Sequence, residues 1–197
     1  MKNGVFGIKS FSFADCVENA GYPSKFENSI KAIVSGSLSF NDQAAQTTDV
    51  DIEDSEDPYA VLTSSAAQKG FVIQTYDLSE DNYVKLLGYQ KTNVGSDSAT
   101  KTAWINEAPK ESEIYKAIQI ITEDLDEIPS RIFQWSKMKL TVTRSGSIGK
   151  TGLPNLNIEC RQMAVFDSSN EKASGHRWVF AKDAKSDVTG VSVADKK

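Results

Sequence analysis

The feature that most constrains the fold is a strict alternation of small or apolar residues with other residues between positions 30 and 40. Side chains of a β-strand point alternately to opposite faces, so a period of two predicts a half-buried strand with one face on a core. A helix would require a period of 3.6 residues. The alternation therefore predicts a β-strand over residues 30–40, whose core face consists of Ile30, Ala32, Val34, Gly36, Leu38 and Phe40.

Further segments along the chain have the composition of strands. Residues 69–76 (KGFVIQTY) are rich in β-forming side chains, and residues 131–143 and 155–166 read as paired strands. His176–Phe180 is a predicted last strand. Segment 113–121 (EIYKAIQII) fits both a helix face and a strand alternation, and its short, isoleucine-rich composition favours a strand. Together these segments predict a mainly β chain, an antiparallel β-sandwich or barrel.

One segment, YDLSEDNYVKLLG at 76–88, has the signals of a helix. Ser79 suits the N-cap position, Glu80 and Asp81 suit the positive end of the helix dipole, and Gly88 suits a left-handed termination. We predict one short α-helix over about residues 79–88. Because so short a helix is marginal in water, we expect apolar side chains to pack it against the sheet. These side chains are Leu78, Val84, Leu86 and Leu87.

Residues 41–58 carry a dense group of carboxylates: Asp49, Asp51, Glu53, Asp54, Glu56 and Asp57. Their mutual repulsion predicts an exposed long loop or projecting hairpin, with Tyr59–Thr63 returning to a sheet. A calcium EF-hand requires glycine at its sixth position and glutamate at its twelfth, where this chain has Asp54 and Ala60. We therefore assign no metal site, and a weak cation site at these carboxylates remains an alternative.

Length and composition favour one domain without a membrane segment. The 197 residues predict a single β domain over 1–182, followed by a polar, flexible tail over 183–197. Residues 89–102 are rich in Gly, Ser and Thr and predict a loop. No apolar run is long enough to cross a bilayer, and Lys9 interrupts any signal-peptide core. A net charge of −5 argues against a nucleic-acid grip, which needs a basic surface.

Motifs for catalysis and cofactor binding are incomplete in this sequence. The stretch GSIGKT at 146–151 is similar to the end of a phosphate-binding loop, but Arg144 stands where the first glycine belongs and a strand pattern follows. The single histidine, His176, has no nucleophile elbow with it, and Cys16 and Cys160 lack metal or redox spacing. We expect no enzyme activity and no cofactor.

The order of the segments resembles that of phage major tail proteins. IVSGSLSF at 33–40 precedes the acidic stretch, and PYAVLTSS at 58–65 and KGFVIQTYDLSEDNYVKLLGY at 69–89 follow it. In that family a strand, a long hairpin loop and a returning strand precede a strand that enters a short helix. EIYKAIQIITED and NLNIECRQMAV are also similar to the paired sheet strands of the family. The resemblance extends over roughly residues 30–180.

The resemblance implies a tail tube subunit with a fold shared with the tube proteins of type VI secretion. Copies would form hexameric rings that stack into a tube, assembled in the host cytoplasm as part of the virion tail. The implied partners are further copies of the chain, a tape measure protein, a tail terminator and distal tail or baseplate proteins. Double-stranded DNA would pass through without sequence-specific binding. We expect residues 41–58 to reach the adjacent ring.

Two alternatives remain open at this point. One is a tube protein of a contractile injection or secretion system. The other is a β-sandwich module that binds carbohydrate or a receptor through exposed tryptophans, for which the chain offers Trp104, Trp135 and Trp178. For Trp135, a core position is the favoured interpretation.

Overall fold

The structure, a computed structural model, describes residues 7–50, 53, 60–94, 102–106, 113–125, 128–149 and 152–183. The described part of the chain is mainly β, with 55% strand and 6% helix, antiparallel sheets and one short helix. This confirms the fold class predicted from the sequence. The sheets do not close into a complete sandwich or barrel. The predicted tail at 183–197 lies outside the described residues apart from its first position.

Fourteen strands and two short helices are described. The helices are α1 (Glu80–Leu86) and a 3₁₀ turn (Ala181–Asp183). The strands are β1 (Ile8–Ala14), β2 (Asn28–Ile30), β3 (Ser39–Phe40), β4 (Gln46–Val50), β5 (Ala60–Ser65), β6 (Gly70–Thr75), β7 (Gln90–Val94), β8 (Thr102–Asn106), β9 (Ile114–Thr122), β10 (Arg131–Ser145), β11 (Asn155–Gln162), β12 (Val165–Phe166), β13 (Lys172–Ala173) and β14 (His176–Phe180).

The main sheet is antiparallel, and its strands lie in the order β2-β1-β9-β10-β11-β6-β3. Strand β10 divides it into two branches. Residues 131–135 of β10 pair with β14, and residues 138–145 pair with β11 on the same side. The register shifts between Trp135 and Met138, where the two branches separate. Short two-stranded sheets are formed by β4 with β5, β7 with β8, and β12 with β13.

The core lies on the concave face of the curved main sheet. Phe11 on β1 and Phe71 on β6 are separated by three strands, yet their ring centroids are 6.3 Å apart. Phe71 also lies 4.9 Å from the ring of Trp135 on β10. The sheet therefore curls until its two ends share one core. The core side chains are Phe11, Phe13, Ile30, Phe71, Ile73, Leu86, Ile118, Ile120, Trp135, Met138, Leu140, Leu156, Ile158 and Cys160.

The prediction of one continuous strand over residues 30–40 is wrong. The segment between β2 and β3 is not a strand, because Ala32 (φ 49°) and Gly36 (φ 71°) adopt left-handed backbone conformations. It crosses instead from the β1 end of the sheet to β6, where Ile33 forms an isolated bridge with Thr75. Contacts to β6 therefore override the alternation, and Phe40, on the predicted core face, is 59% exposed.

Most of the other strand predictions are confirmed. The ambiguous segment 113–121 is strand β9, and the last strand is β14. The paired strands are β10 and β11, but β11 ends at Gln162, and residues 165–166 of the predicted strand form β12, which pairs with β13. The predicted loop at 89–102 is wrong for residues 90–94, which form β7 and pair with β8. The alternation rule could not find β7, because its sequence QKTNV is polar on both faces.

Helix α1 confirms the predicted short helix. Ser79 occupies the N-cap position in an extended conformation but makes no side-chain capping bond. Asp77 orders this turn instead. Its carboxylate accepts a hydrogen bond from the Ser79 N–H at 3.2 Å, and its carbonyl accepts one from the Asn82 side chain at 3.0 Å. Gly88 has φ 69°, the left-handed conformation expected where the helix ends.

The four predicted helix-packing residues differ in their burial. Leu86 is 1% exposed and belongs to the core, and Leu78 and Leu87 are partly buried against it. Val84 is half-buried and is not one of the side chains that pack on the core.

Candidate assembly surfaces

A two-stranded extension, here called the arm, leaves the main sheet at the end of β3 and returns at the start of β6. It consists of residues 41–50 and 60–69. Backbone pairing runs along it from Phe40 opposite Phe71, through the bridge of Gln43 with Gln68, to β4 paired with β5. Of the two alternatives for residues 41–58, the hairpin is therefore confirmed over its described part.

The arm exposes apolar side chains on both of its faces. Val61 is 59% exposed and Leu62 is 57% exposed, and consecutive strand residues point to opposite sides. Residues 46–49 of β4 are all exposed. Strand β5 pairs with β4 and not with the main sheet, so the predicted return of Tyr59–Thr63 to a sheet is, for its described residues 60–63, only to this small sheet, and Tyr59 lies outside the described residues. An isolated hairpin of this kind is marginal in water, and exposed apolar patches often mark contact sites.

The acidic residues predicted to reach a neighbouring ring fall in the sequence between Asp49 and Asp57, a stretch that joins β4 to β5 and that we call the acidic outer end of the arm. Asp49 is exposed at the end of β4, and Glu53 is exposed in a turn. The other four, Asp51, Asp54, Glu56 and Asp57, lie outside the described residues. In the part of the chain that is described, no group of three His, Cys, Asp or Glu side chains is placed to hold a metal ion.

A second protrusion is formed by the connection between β10 and β11. Ile148 is 92% exposed and Leu153 is 72% exposed. Gly146 adopts φ 84°, and the described residues 146–149 are bends and turns rather than the start of a helix. The GSIGKT stretch therefore lacks the helix N-terminus that a phosphate-binding loop needs, as far as its residues are described.

Strand β14 carries an open backbone edge. The Ser136 N–H donates to the Gly175 carbonyl at 2.9 Å, and the Ala181 N–H donates to the Ser130 carbonyl at 2.9 Å. In an antiparallel ladder these bonds alternate, so the backbone groups of Trp178 and Phe180 point away from β10. No strand pairs with β14 on that side over the described ranges.

Aromatic and cationic side chains gather beside this edge. Trp178 is 50% exposed, and its ring meets that of Phe180 edge-on at 5.4 Å. The Arg131 guanidinium lies 5.0 Å from the centre of the Trp178 ring and 5.2 Å from that of Phe180. The Lys182 ammonium lies 5.9 Å from the Phe180 ring. We call Arg131, Trp178, Phe180 and Lys182 the β14 patch.

The aromatic row continues from this patch into the core through His176. The imidazole stacks on Trp135 at 4.8 Å and on Phe133 at 6.3 Å, and its Nε2 atom is buried without a hydrogen-bond partner. Burial lowers the pKa of His176, the charge of Lys69 lowers it further, and Asp42 opposes this. Trp135 is 5% exposed, as expected of a core residue.

A buried polar chain attaches the segment that follows β1 to the other face of the sheet. The Gln134 amide donates to Gln119 at 2.7 Å, and Arg177 Nε donates to Gln134 at 2.8 Å. The Arg177 guanidinium stacks 3.9 Å from the Tyr22 ring, and the Tyr22 hydroxyl donates to the Ser174 carbonyl at 3.2 Å. These contacts hold the segment that contains Tyr22 against Arg177 of β14 and against Ser174, which precedes it.

A polar cleft of about 380 Å³ lies between β2 and the start of α1. Several of its charged groups have partners within the chain. Asp77 accepts from the Lys31 N–H at 3.1 Å, and Lys85 donates to the Asn28 side chain at 2.7 Å and lies 3.9 Å from Asp81. This arrangement holds the helix against β2.

Sequence reasoning found the arm but missed the β14 patch. The alternation of His176, Trp178 and Phe180 gives the signal for one aromatic strand face. The position of Arg131 opposite Phe180 depends on the pairing of β10 with β14, which a single sequence does not contain. In the described residues, no helix has the length and apolar character needed to cross a membrane.

Neither a protein-family model nor a curated protein sequence matches this chain at a significant level.

Proposed function

We propose that this protein is a self-assembling structural subunit of the tail tube type, which forms hexameric rings that stack into a tube for the passage of phage DNA. The observation that carries the proposal is the arm. It extends a sheet edge away from the core, and it exposes Val61 and Leu62 on opposite faces. A contact surface of this form suits the attachment of another copy.

The free energy gained by burying apolar surface favours an assembled state for the arm. Burial of apolar surface stabilises a contact by roughly 25 cal/mol per Å², and in the free subunit this surface of the arm remains in water. Self-repulsion among the six carboxylates from Asp49 to Asp57 also disfavours an isolated arm. Stacking of identical rings would cover the arm and extend the assembly along one axis.

The charge of the chain is compatible with a conduit for DNA. With a net charge of −5, the subunit repels phosphates on average. DNA could then move through a lumen without binding to it. In this proposal the tape measure protein, the tail terminator and the distal tail or baseplate proteins meet the same tube in the virion. A tube of a contractile injection or secretion system would use the same surfaces.

Negative-stain electron microscopy of the purified protein over a range of concentrations tests this proposal. We expect rings and stacked tubes at high protein concentration. Discrete monomers at every concentration and salt level would contradict it.

A second candidate is a module that binds carbohydrate or a receptor, and it is favoured by the exposure of Trp104 (59%) and Trp178 (50%). It predicts discrete particles in the same images, together with binding to a glycan array that is lost in Trp104→Ala or Trp178→Ala.

A further inference from the structure

We propose that the β14 patch of one copy is the receptor for the acidic outer end of the arm of a second copy. This assignment rests on the proposed self-assembly and deepens it, because it names the two surfaces that meet. The patch combines two cations, two aromatic rings and an open strand edge. The arm supplies carboxylates, apolar side chains and an extended backbone.

Charge complementarity selects this partner. The chain as a whole is acidic, with a net charge of −5, and the arm carries six carboxylates between positions 49 and 57. At the β14 patch, by contrast, the cationic groups of Arg131 and Lys182 lie 5.2 Å and 5.9 Å from the centre of the Phe180 ring. Surfaces of opposite charge attract each other during encounter and fix the register of docking.

The apolar parts of the two surfaces also match. Trp178 exposes half of its surface beside the cations, and Val61 and Leu62 expose more than half of theirs on the arm. Aromatic rings and arginine are the residue types that most often contribute binding energy at protein interfaces. The open edge of β14 could also accept the backbone of an arm strand, as in strand addition.

The reach of the arm places this contact between copies. Asp42 and Lys69, at the base of the arm, act on the charge of His176 at the start of β14 in the same copy. Asp49 is seven residues further along an extended ladder, and at about 3.3 Å per residue this places it roughly 23 Å from the base. Asp49 is therefore well separated from the base of the arm, and in this proposal the carboxylate that meets the patch belongs to another copy.

Chemical cross-linking between isotopically labelled and unlabelled copies of the protein tests the contact directly. Full-length protein labelled with ¹⁵N is mixed with unlabelled protein under assembling conditions and treated with a carbodiimide, which joins amines to carboxylates without a spacer. We expect a cross-link from Lys182 to a carboxylate between Asp49 and Asp57 that contains one labelled and one unlabelled peptide. Its absence, or cross-links formed only within one copy, would overturn the proposal.

Reversal of the charge at Lys182 tests the same contact through its effect on the association of copies. At low salt, Lys182→Glu should weaken association measured by analytical ultracentrifugation about five-fold, and combination with Glu53→Lys should restore part of it. Lys25→Glu is the control, because Lys25 is an exposed lysine that pairs with Glu27 at 3.2 Å and the net charge changes equally. The loss should shrink at high salt.

The outcomes separate this inference from the proposed function. If tubes form and Lys182→Glu behaves like Lys25→Glu, the arm docks elsewhere and only this inference fails. If the unmodified protein never associates, the proposed function fails as well. Binding of a nucleic-acid oligomer to the patch, with no effect of the arm charges, would also overturn the inference.

Discussion

At the scale of single residues, Thr75 shows how one buried hydroxyl can join three parts of a fold. Its side chain donates to the Lys31 carbonyl at 2.5 Å and accepts from the Asp77 N–H at 2.9 Å. Thr75 is completely buried at the end of β6. It thereby links β6 to the segment that crosses between the sheet ends and to the turn that begins α1.

Replacement of this hydroxyl should be costly. Thr75→Val keeps the shape of the buried side chain but removes its hydrogen bonds to the part-buried Lys31 carbonyl and Asp77 N–H, so the free energy of unfolding should fall by about 1–3 kcal/mol. Urea denaturation measures this change. Thr141→Val, at an exposed position of β10, is the control and should stay within about 0.5 kcal/mol of the parent. Equal effects of the two changes would contradict the role given to Thr75.

His176 predicts a pH dependence of stability in a defined window. Because burial lowers its pKa in the folded state below the ordinary value of 6.5, the unfolded chain binds the proton more readily. The contribution to stability is therefore fully present above pH 6.5 and is lost as the pH falls through the lower folded pKa.

We expect His176→Phe to reduce this decline in the free energy of unfolding just below pH 6.5, because phenylalanine does not titrate. Denaturant titrations of both proteins between pH 5 and 8 measure it. Carboxylates contribute at lower pH, where the Lys116 partner lowers the pKa of Asp15 below 3.8. Parallel stability curves for the two proteins over this range would contradict the assignment.

At the scale of elements, the arm and α1 perform different tasks. Helix α1 closes the core through Leu86, whereas β4 and β5 extend away from it with little burial. Removal of the arm should therefore change assembly and leave the fold intact.

Deletion of residues 44–56 should give a folded monomer that does not form tubes. The deletion spares the core side chains, which all lie in other parts of the chain. Circular dichroism and thermal unfolding report the fold, and electron microscopy reports assembly. Tubes of normal length from the deleted protein would contradict this prediction.

The end of α1 can be tested separately. Gly88 has φ 69°, so Gly88→Ala should lower the free energy of unfolding by about 1–2 kcal/mol. Gly149→Ala is the matched control, since an added Cβ there meets no atom within 4 Å and its backbone is not left-handed. A smaller loss at Gly88 than at Gly149 would refute the role of this glycine.

The sequence predicted those elements whose local pattern agrees with their surroundings. Strand β9 is short and isoleucine-rich, β10 has buried residues at alternating positions over much of its length, and α1 has acidic residues at its start and glycine after its end, so all three could be found. Segment 30–40 alternates equally well but is held by β6 in another conformation. In strand β7 the described side chains, residues 90–92, are all exposed, so they give no buried face from which to read a period. The β14 patch depends on strand pairing, which a local pattern does not encode.

At the scale of the whole molecule, one curved sheet provides the core and the attachment point of the arm. The arm leaves at one end of the strand order, beyond β3, while β14 lies on a separate branch of β10. The two proposed contact surfaces thus belong to different branches of the sheet. Such a contact is heterologous, and contacts of this class generate either closed rings or open filaments.

The division of β10 between two branches has a consequence for the way the subunit opens. Its central amides are bonded to β9 on one side and to β14 or β11 on the other. If either branch detaches, β10 therefore remains paired with the rest of the sheet. We therefore expect hydrogen–deuterium exchange, followed by mass spectrometry, to be slowest in β10 and fastest in β4 and β5. Local opening would release the periphery first, and deuterium would enter the centre of β10 only when the whole subunit unfolds.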